Sequence, residues 1–162
     1  MSTVYLELDK VGFSPNFISK LIEKYKAPQK VIDIVKNNPY QLVKDIKGVG
    51  FFTADKVALR SGYKTYDTKR IKSYILWYLD AQGEEGHSWV SAGELMGSLY
   101  EDLGGKQSLI VEDEDGNLVN NVGKAIKELQ DEELIRVEEG DTKSGRRVYL
   151  IAFGILKKIL LI

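Results

Sequence analysis

Hydrophobic residues recur at helical spacing on both sides of a short glycine-containing segment, Gly48-Val49-Gly50. The upstream apolar positions are Leu42, Val43 and Ile46. The downstream ones are Phe51, Ala54, Val57 and Ala58. Three- and four-residue spacing is typical of one face of an α-helix, and Gly62 stands where a C-cap glycine would end the second helix. The pattern therefore predicts two helices joined by a tight turn.

A related pattern occurs earlier in the chain. Val11-Gly12-Phe13 is repeated as Val49-Gly50-Phe51, and Ser14-Pro15 follows the first copy as a helix cap and a first-turn proline. A helical stripe comes next, formed by Phe17, Ile18, Leu21, Ile22 and Tyr25. Lys10 replaces Gly48 in the first copy, so we expect its turn to be less exposed. Two such hairpins with a connecting helix between them predict a five-helix unit with pseudo-two-fold symmetry.

The remaining chain shows a different order of elements. Helices are predicted over residues 67–81, 91–103 and 118–132, and Ser91 with Glu94 forms a capping box at the start of the second. A short strand-like segment precedes Ser91, and residues 134–138 and 147–152 alternate as two strands around a polar tip. This order is that of a winged helix, with residues 119–132 in the position of the recognition helix.

The predicted fold class is therefore mainly α. A tandem helix-hairpin-helix bundle over residues 1–65 is followed by a winged-helix-like α+β module over residues 66–152. Residues 153–162 are apolar enough to begin a further segment.

The turn at Gly48-Val49-Gly50 has the residue types that bind a phosphate. Main-chain amides and the positive end of the following helix can hold an oxyanion, and we expect a side chain at Gly48 or Gly50 to block its approach or forbid the turn. The predicted DNA phosphate site consists of Lys47, Gly48, Val49, Gly50, Phe51, Thr53, Lys56 and Arg60. An ordinary helical hairpin is the alternative, but the flanking periodicity, the small Ala54 and the lysines favour nucleic acid.

Other residues are candidates for contacts with the same ligand. The first hairpin offers Lys10, Gly12 and Ser14, and the wing offers Lys143, Arg146 and Arg147. Phe52 or Tyr40 is a candidate platform for stacking a base. The recognition-helix position carries Asn120, Asn121, Lys124 and Lys127, and also Glu128, Asp131, Glu132 and Glu133. Because these acids repel phosphates, we favour a structural or protein-facing role for this module.

Charge is distributed unevenly along the 162 residues, although the net charge is only −1. Residues 1–66 hold 11 of the 23 Lys+Arg and 6 of the 24 Asp+Glu, and the rest of the chain holds 12 and 18. The basic half is where phosphate binding is expected. The chain has no cysteine and one histidine, so no metal site is predicted. It shows neither a signal peptide nor an apolar span, so a cytoplasmic location is expected.

Four short motifs occur in a characteristic order: Asn38-Pro39-Tyr40, Gly48-Val49-Gly50-Phe51, Ala54-Asp55-Lys56 and Glu85-Gly86-His87. This order resembles the region before the motor of RecD/TraA-type superfamily 1B DNA helicases, relatives of the exodeoxyribonuclease V alpha subunit. The resemblance implies tandem hairpins and a winged-helix-like segment ahead of an ATPase core. It also implies 5′-3′ movement on DNA, a role in repair or recombination, and ATP and Mg²⁺ bound by the motor.

The chain departs from that family because it carries no Walker motif before Ile162. We therefore expect a non-catalytic N-terminal fragment, or a domain expressed alone, without a cofactor of its own. Its expected partners are single-stranded or tailed duplex DNA and the motor domains, with no membrane. One alternative is a protein-docking module whose hairpins are only a scaffold. Another is a small junction nuclease, which we disfavour because no metal-binding carboxylate cluster is evident.

Overall fold

The computed structural model describes residues 3–140 and 145–150. The chain divides into two compact units, Met1–Lys64 and Thr65–Ile162. The described residues are mostly helical with a few short antiparallel strands, which confirms the predicted mainly α fold class. No helix within these residues is both long enough and apolar enough to cross a membrane.

The first unit is a bundle of short helices. Its elements are α1 (Thr3–Lys10), α2 (Pro15–Tyr25), α3 (Pro28–Asn37), α4 (Gln41–Asp45) and α5 (Phe51–Arg60). The order α1-turn-α2 and α4-turn-α5, with α3 between the pairs, confirms the tandem helix-hairpin-helix arrangement. Helix α4 is shorter than predicted because Pro39 and Tyr40 form a turn before it.

The core of this unit lies between the faces predicted from the apolar spacing. Its largest fully buried side chains include Ile18, Leu21, Leu42 and Phe51. Ala54 and Ala58 of α5 are completely buried, and small side chains at these positions let neighbouring helices approach closely. Helix α5 ends in a Schellman motif, with Tyr63 N–H donating to Ala58 O at 3.0 Å and Gly62 in a left-handed conformation.

The second unit combines helices with a small sheet. It begins with α6 (Thr68–Glu84), β1 (Val90–Ser91) and α7 (Ala92–Asp102), and then a 3-10 helix (Lys106–Leu109) leads into β2 (Ile110–Glu112) and β3 (Leu118–Asn120). It continues with α8 (Asn121–Asp131), β4 (Ile135–Glu139) and β5 (Arg146–Leu150). The three-stranded sheet has the order β1-β5-β4, and its strands are antiparallel. The predicted pair of C-terminal strands and the short strand before α7 thus lie in one sheet.

The prediction of one helix over residues 118–132 is wrong at its start. Residues Leu118–Asn120 form β3, which pairs with β2 in the register Glu112↔Leu118. Helix α8 begins after Asn120, whose side chain accepts a hydrogen bond from Val122 N–H at 3.0 Å. Leu118 is 76% exposed, so it does not belong to the buried face of the helix.

Candidate nucleic-acid interface

The turn between α4 and α5 is closed by a hydrogen bond from Val49 N–H to Ile46 O at 3.2 Å. Gly48, the third residue of this turn, has φ +91°, a conformation that favours glycine. Gly50 instead has φ −90° and ψ 176°, which any residue adopts. Of the two expected effects of a side chain, a forbidden turn applies to Gly48, whereas the backbone conformation of Gly50 does not itself require glycine.

Some side chains in and after the turn are buried, and others are exposed. Val49 and Phe51 are buried, so only their main-chain atoms could face a ligand. Lys47, Gly48, Thr53 and Lys56 are exposed. The N-cap of α5 is Gly50, which has no side chain to cap the helix, and no acidic residue lies in the first helical turn, which the structure describes in full. No carboxylate within the first turn therefore offsets the positive end of the helix dipole.

Buried contacts join the parts of the chain that flank the turn. Tyr40 Oη donates a hydrogen bond to Asp55 Oδ1 at 2.7 Å, and the Tyr40 ring stacks on Phe51 with 5.8 Å between ring centroids. Tyr40 is 3% exposed, so its suggested role as a stacking platform is wrong. Residues of the Asn-Pro-Tyr, Gly-Val-Gly-Phe and Ala-Asp-Lys motifs thus meet in one cluster, which we call the Tyr40 cluster: Tyr40, Phe51 and Asp55.

Arg60 does not lie at the turn where the sequence analysis placed it. A β-carbon at Gly12 would stand 1.9 Å from Arg60 Nη1, so the guanidinium lies directly over this glycine of the first hairpin. Arg60 is the last residue of α5 and Phe51 the first. At about 1.5 Å per residue, they are separated by roughly 14 Å along the helix axis. The residues of the predicted phosphate site therefore fall into two groups. Arg60 lies at the first hairpin, and the others lie at or near the turn of the second hairpin.

The first hairpin differs from the second in its backbone. Helix α1 ends in a Schellman motif, with Phe13 N–H donating to Leu8 O at 3.2 Å and Gly12 at φ +97°. Gly12 and Gly50 are equivalent in the sequence repeat but adopt different conformations, so the two turns are not copies of each other. Lys10 and Gly12 are both exposed, which contradicts the prediction of a less exposed turn.

Ser14 caps the helix that follows the first hairpin. Its Oγ accepts a hydrogen bond from Phe17 N–H at 3.2 Å, which confirms the cap predicted from Ser14-Pro15. The hydroxyl oxygen of Ser14 therefore caps α2. The cationic groups near this turn are Lys10 and Arg60.

The basic residues predicted on the wing are partly engaged within the second unit. Arg146 Nε donates to Glu139 Oε1 at 2.9 Å, and the Arg147 guanidinium lies 4.6 Å from the centroid of the Trp89 ring. Lys143 lies outside the described residues. Arg147 therefore serves packing of the sheet as well as any contact with a ligand.

The polar residues at the start of α8 make contacts within the second unit. Asn120 Nδ2 donates to Tyr100 Oη at 2.9 Å, and Asn121 Nδ2 donates to Tyr66 O at 2.7 Å. These contacts fix the start of the helix, so the two asparagines are poorly placed to read bases.

Two acidic residues at the C-terminal end of α8 pair with a lysine of the same unit. Glu128 and Glu132 both form ion pairs with Lys72 of α6. Burial disfavours the charged form of Lys72, but these two carboxylates outweigh it and raise the pKa of the ammonium. The charges of Glu128 and Glu132 are therefore partly offset by Lys72, which weakens the repulsion of phosphates expected from these two acids.

The helices and turns of the first unit define a helix-hairpin-helix protein with exposed cations at both turns. Residues 1–89 match the family model of the HHH domain of ATP-dependent RecD2 DNA helicases, so the chain belongs to this family. The match confirms the resemblance to RecD-type helicases and identifies an accessory region of such an enzyme. It extends beyond the first unit through α6 as far as Trp89.

Two features of the interface were missed by the sequence analysis. The contact of Arg60 with Gly12 joins residues far apart in the chain and leaves no local signal. The buried contact of Asp55 could have been predicted from the sequence. Asp55 lies beside Ala54 and Ala58 on the apolar side of α5, where a carboxylate needs a buried partner.

Proposed function

We propose that this chain binds DNA without reading its sequence, as a non-catalytic accessory region of an ATP-dependent 5′-3′ helicase of the RecD type. The processes it would serve are DNA repair or recombination in the cytoplasm. The observation that carries the proposal is the turn before α5. There an exposed glycine backbone and a helix N-terminus without an acidic first turn lie close in sequence to Lys47 and Lys56.

The divided arrangement of cations supports two phosphate contacts. The second hairpin offers Lys47, Thr53 and Lys56 together with the backbone of Gly48 and Gly50. The first hairpin offers Lys10 and Arg60 around Gly12. Phosphate contacts fix the position of a protein on DNA but carry no sequence information, and about two to four of them give a log–log salt slope of about −2 to −4.

Fluorescence anisotropy of a labelled 5′-tailed duplex, titrated with the chain at low salt, tests this proposal. Gly50→Val is the sharpest variant, since the extended backbone of Gly50 accepts valine while the added methyl groups obstruct the approach of a phosphate. We expect the parent to bind and the folded variant, checked by circular dichroism, to bind much more weakly. Equal binding by both proteins, or an affinity that does not change with salt, would contradict the proposal.

A specific observation also favours protein docking by the second unit. On the β2–β3 hairpin, Leu118 is 76% and Val119 is 37% exposed, and the connecting turn contains Asp113, Glu114 and Asp115. Carboxylates repel DNA, whereas burial of adjacent exposed apolar side chains against a protein is favourable. We propose the motor domains of the helicase as the partner of this unit. Co-purification of the chain with a separately expressed RecD2 motor, compared with its Leu118→Ser variant, tests this candidate.

A further inference from the structure

Phe52 is an exposed aromatic residue beside the proposed phosphate site. It is the second residue of α5 and follows directly after Gly48-Val49-Gly50-Phe51. Half of its surface, 50%, is exposed. Phenylalanine is among the residues most often buried, and this ring is exposed next to the turn proposed to bind a phosphate.

The Phe52 ring packs against the ring of Phe51. Its centroid lies 5.6 Å from that of Phe51, and the two rings are nearly perpendicular at 76°. Phe51 is completely buried and belongs to the Tyr40 cluster. One side of the exposed ring therefore packs on a buried residue, and this contact reduces the side-chain freedom that would be lost when a ligand binds.

The exposed face of α5 continues with a cation. Lys56 lies one helical turn after Phe52 on the same face and is exposed, and Leu59 follows at 36% exposure. An aromatic ring followed by an ammonium group complements a base followed by the phosphate of a neighbouring nucleotide. A docking surface for an acidic protein would use the lysine equally well, but it would not require the ring to lie beside a phosphate-binding turn.

We propose that Phe52 stacks on an unpaired base of the nucleotide whose phosphate is bound at the second hairpin. The proposal rests on the proposed DNA-binding function and names its ligand as single-stranded DNA. In a duplex, neighbouring bases cover both faces of an internal base. Phe52 can therefore stack on a base only where the strand is unpaired. Stacking of this kind tolerates any sequence, because every base has a π-face.

The test compares two labelled oligomers of equal length and charge, an oligothymidine and its abasic counterpart, by anisotropy at low salt. We expect Phe52→Ala to lower the affinity for oligothymidine about 5- to 100-fold. It should leave the affinity for the abasic oligomer unchanged, and Phe52→Tyr should retain the parent affinity for both. Leu6→Ala is the matched control, because Leu6 is similarly exposed at 52% and lies on α1; it should change neither affinity.

The outcomes separate this inference from the proposed function. If Gly50→Val abolishes binding while Phe52→Ala binds both oligomers as the parent does, stacking is overturned and phosphate binding stands. If Phe52→Ala weakens both oligomers equally, the ring supports the fold of the turn, and stacking is again overturned. If the parent binds neither oligomer nor the tailed duplex, both proposals fail and the α5 face belongs to a protein contact.

Discussion

Tyr40 donates its phenolic hydrogen to the carboxylate of Asp55 across 2.7 Å, and the two side chains are only 3% and 6% exposed. The bond connects the turn before α4 to the middle of α5 and therefore spans the glycine turn that lies between them. Because Phe51 packs on the same tyrosine ring, the start of α5 is fixed from two directions. The motif residues that identify the family thus place the turn without having to touch a ligand.

Tyr40→Phe removes this buried hydrogen bond while keeping the ring. We expect the free energy of unfolding to fall by about 1–3 kcal/mol, because a buried carboxylate loses a partner. Urea denaturation followed by circular dichroism measures the change. Tyr5→Phe is the control, since the Tyr5 hydroxyl bonds to Ser19 at the exposed surface, and its loss should cost less than about 0.5 kcal/mol. Equal effects of the two substitutions would show that burial of the bond is unimportant.

Gly48→Ala and Gly62→Ala form a matched pair, because the two glycines lie on either side of α5. Both glycines have positive φ, and an added β-carbon would meet nothing within 4 Å at either position. Each substitution should therefore cost about 1–2 kcal/mol of stability through backbone strain alone. Only Gly48→Ala should also weaken DNA binding in the anisotropy titration. A similar loss of binding in Gly62→Ala would mean that strain, rather than the position of Gly48, causes the effect.

Arg60→Gln tests whether the guanidinium over Gly12 contacts DNA. If it neutralises a phosphate, its removal should reduce the salt slope of binding by about 1 and weaken binding to all sequences alike. Lys24→Gln is the control, because it removes the same charge from an exposed position in the last turn of α2. The slope measured between low and moderate salt should stay at the parent value in Lys24→Gln. An unchanged slope in Arg60→Gln would remove this residue from the interface.

Alkaline pH should destabilise the second unit through Tyr74. Burial, and then its 2.6 Å hydrogen bond to Asp102, raise the pKa of Tyr74 above the usual 10.0. The folded state therefore keeps a proton that the unfolded state loses, so this contribution to stability is complete below pH 10 and declines as the pH rises further. Unfolding at several pH values measures the slope, which should be shallower in Tyr74→Phe. A parent-like slope in that variant would contradict this assignment.

Features that depend on neighbouring residues were predictable from the sequence. Ser91 caps α7 as expected, because a capping hydrogen bond is formed within three residues. The start of α5 at Phe51 and its end before Gly62 were also predicted correctly, since apolar spacing and a C-cap glycine are local signals.

Features that depend on distant contacts were not predictable. Arg60 follows Lys56 on α5 and was grouped with it, but contact with Gly12 depends on how α5 packs near the end of α1. Glu128 and Glu132 were counted among the acids that repel phosphates, but both pair with Lys72 of α6, which is distant from them in the sequence. The start of α8 was misplaced because Leu118 and Val119 suit a helix face and a strand equally well, and strand pairing with β2 decided between them.

The contact between Gly12 and Arg60 also constrains how the two positions can vary among relatives. Any side chain at position 12 would occupy the space of the guanidinium, so a relative with a larger residue there must hold its arginine elsewhere or do without it. An aligned set of these domains should therefore show correlated substitution at positions 12 and 60. That correlation would trace the link between the two hairpins from sequence data alone.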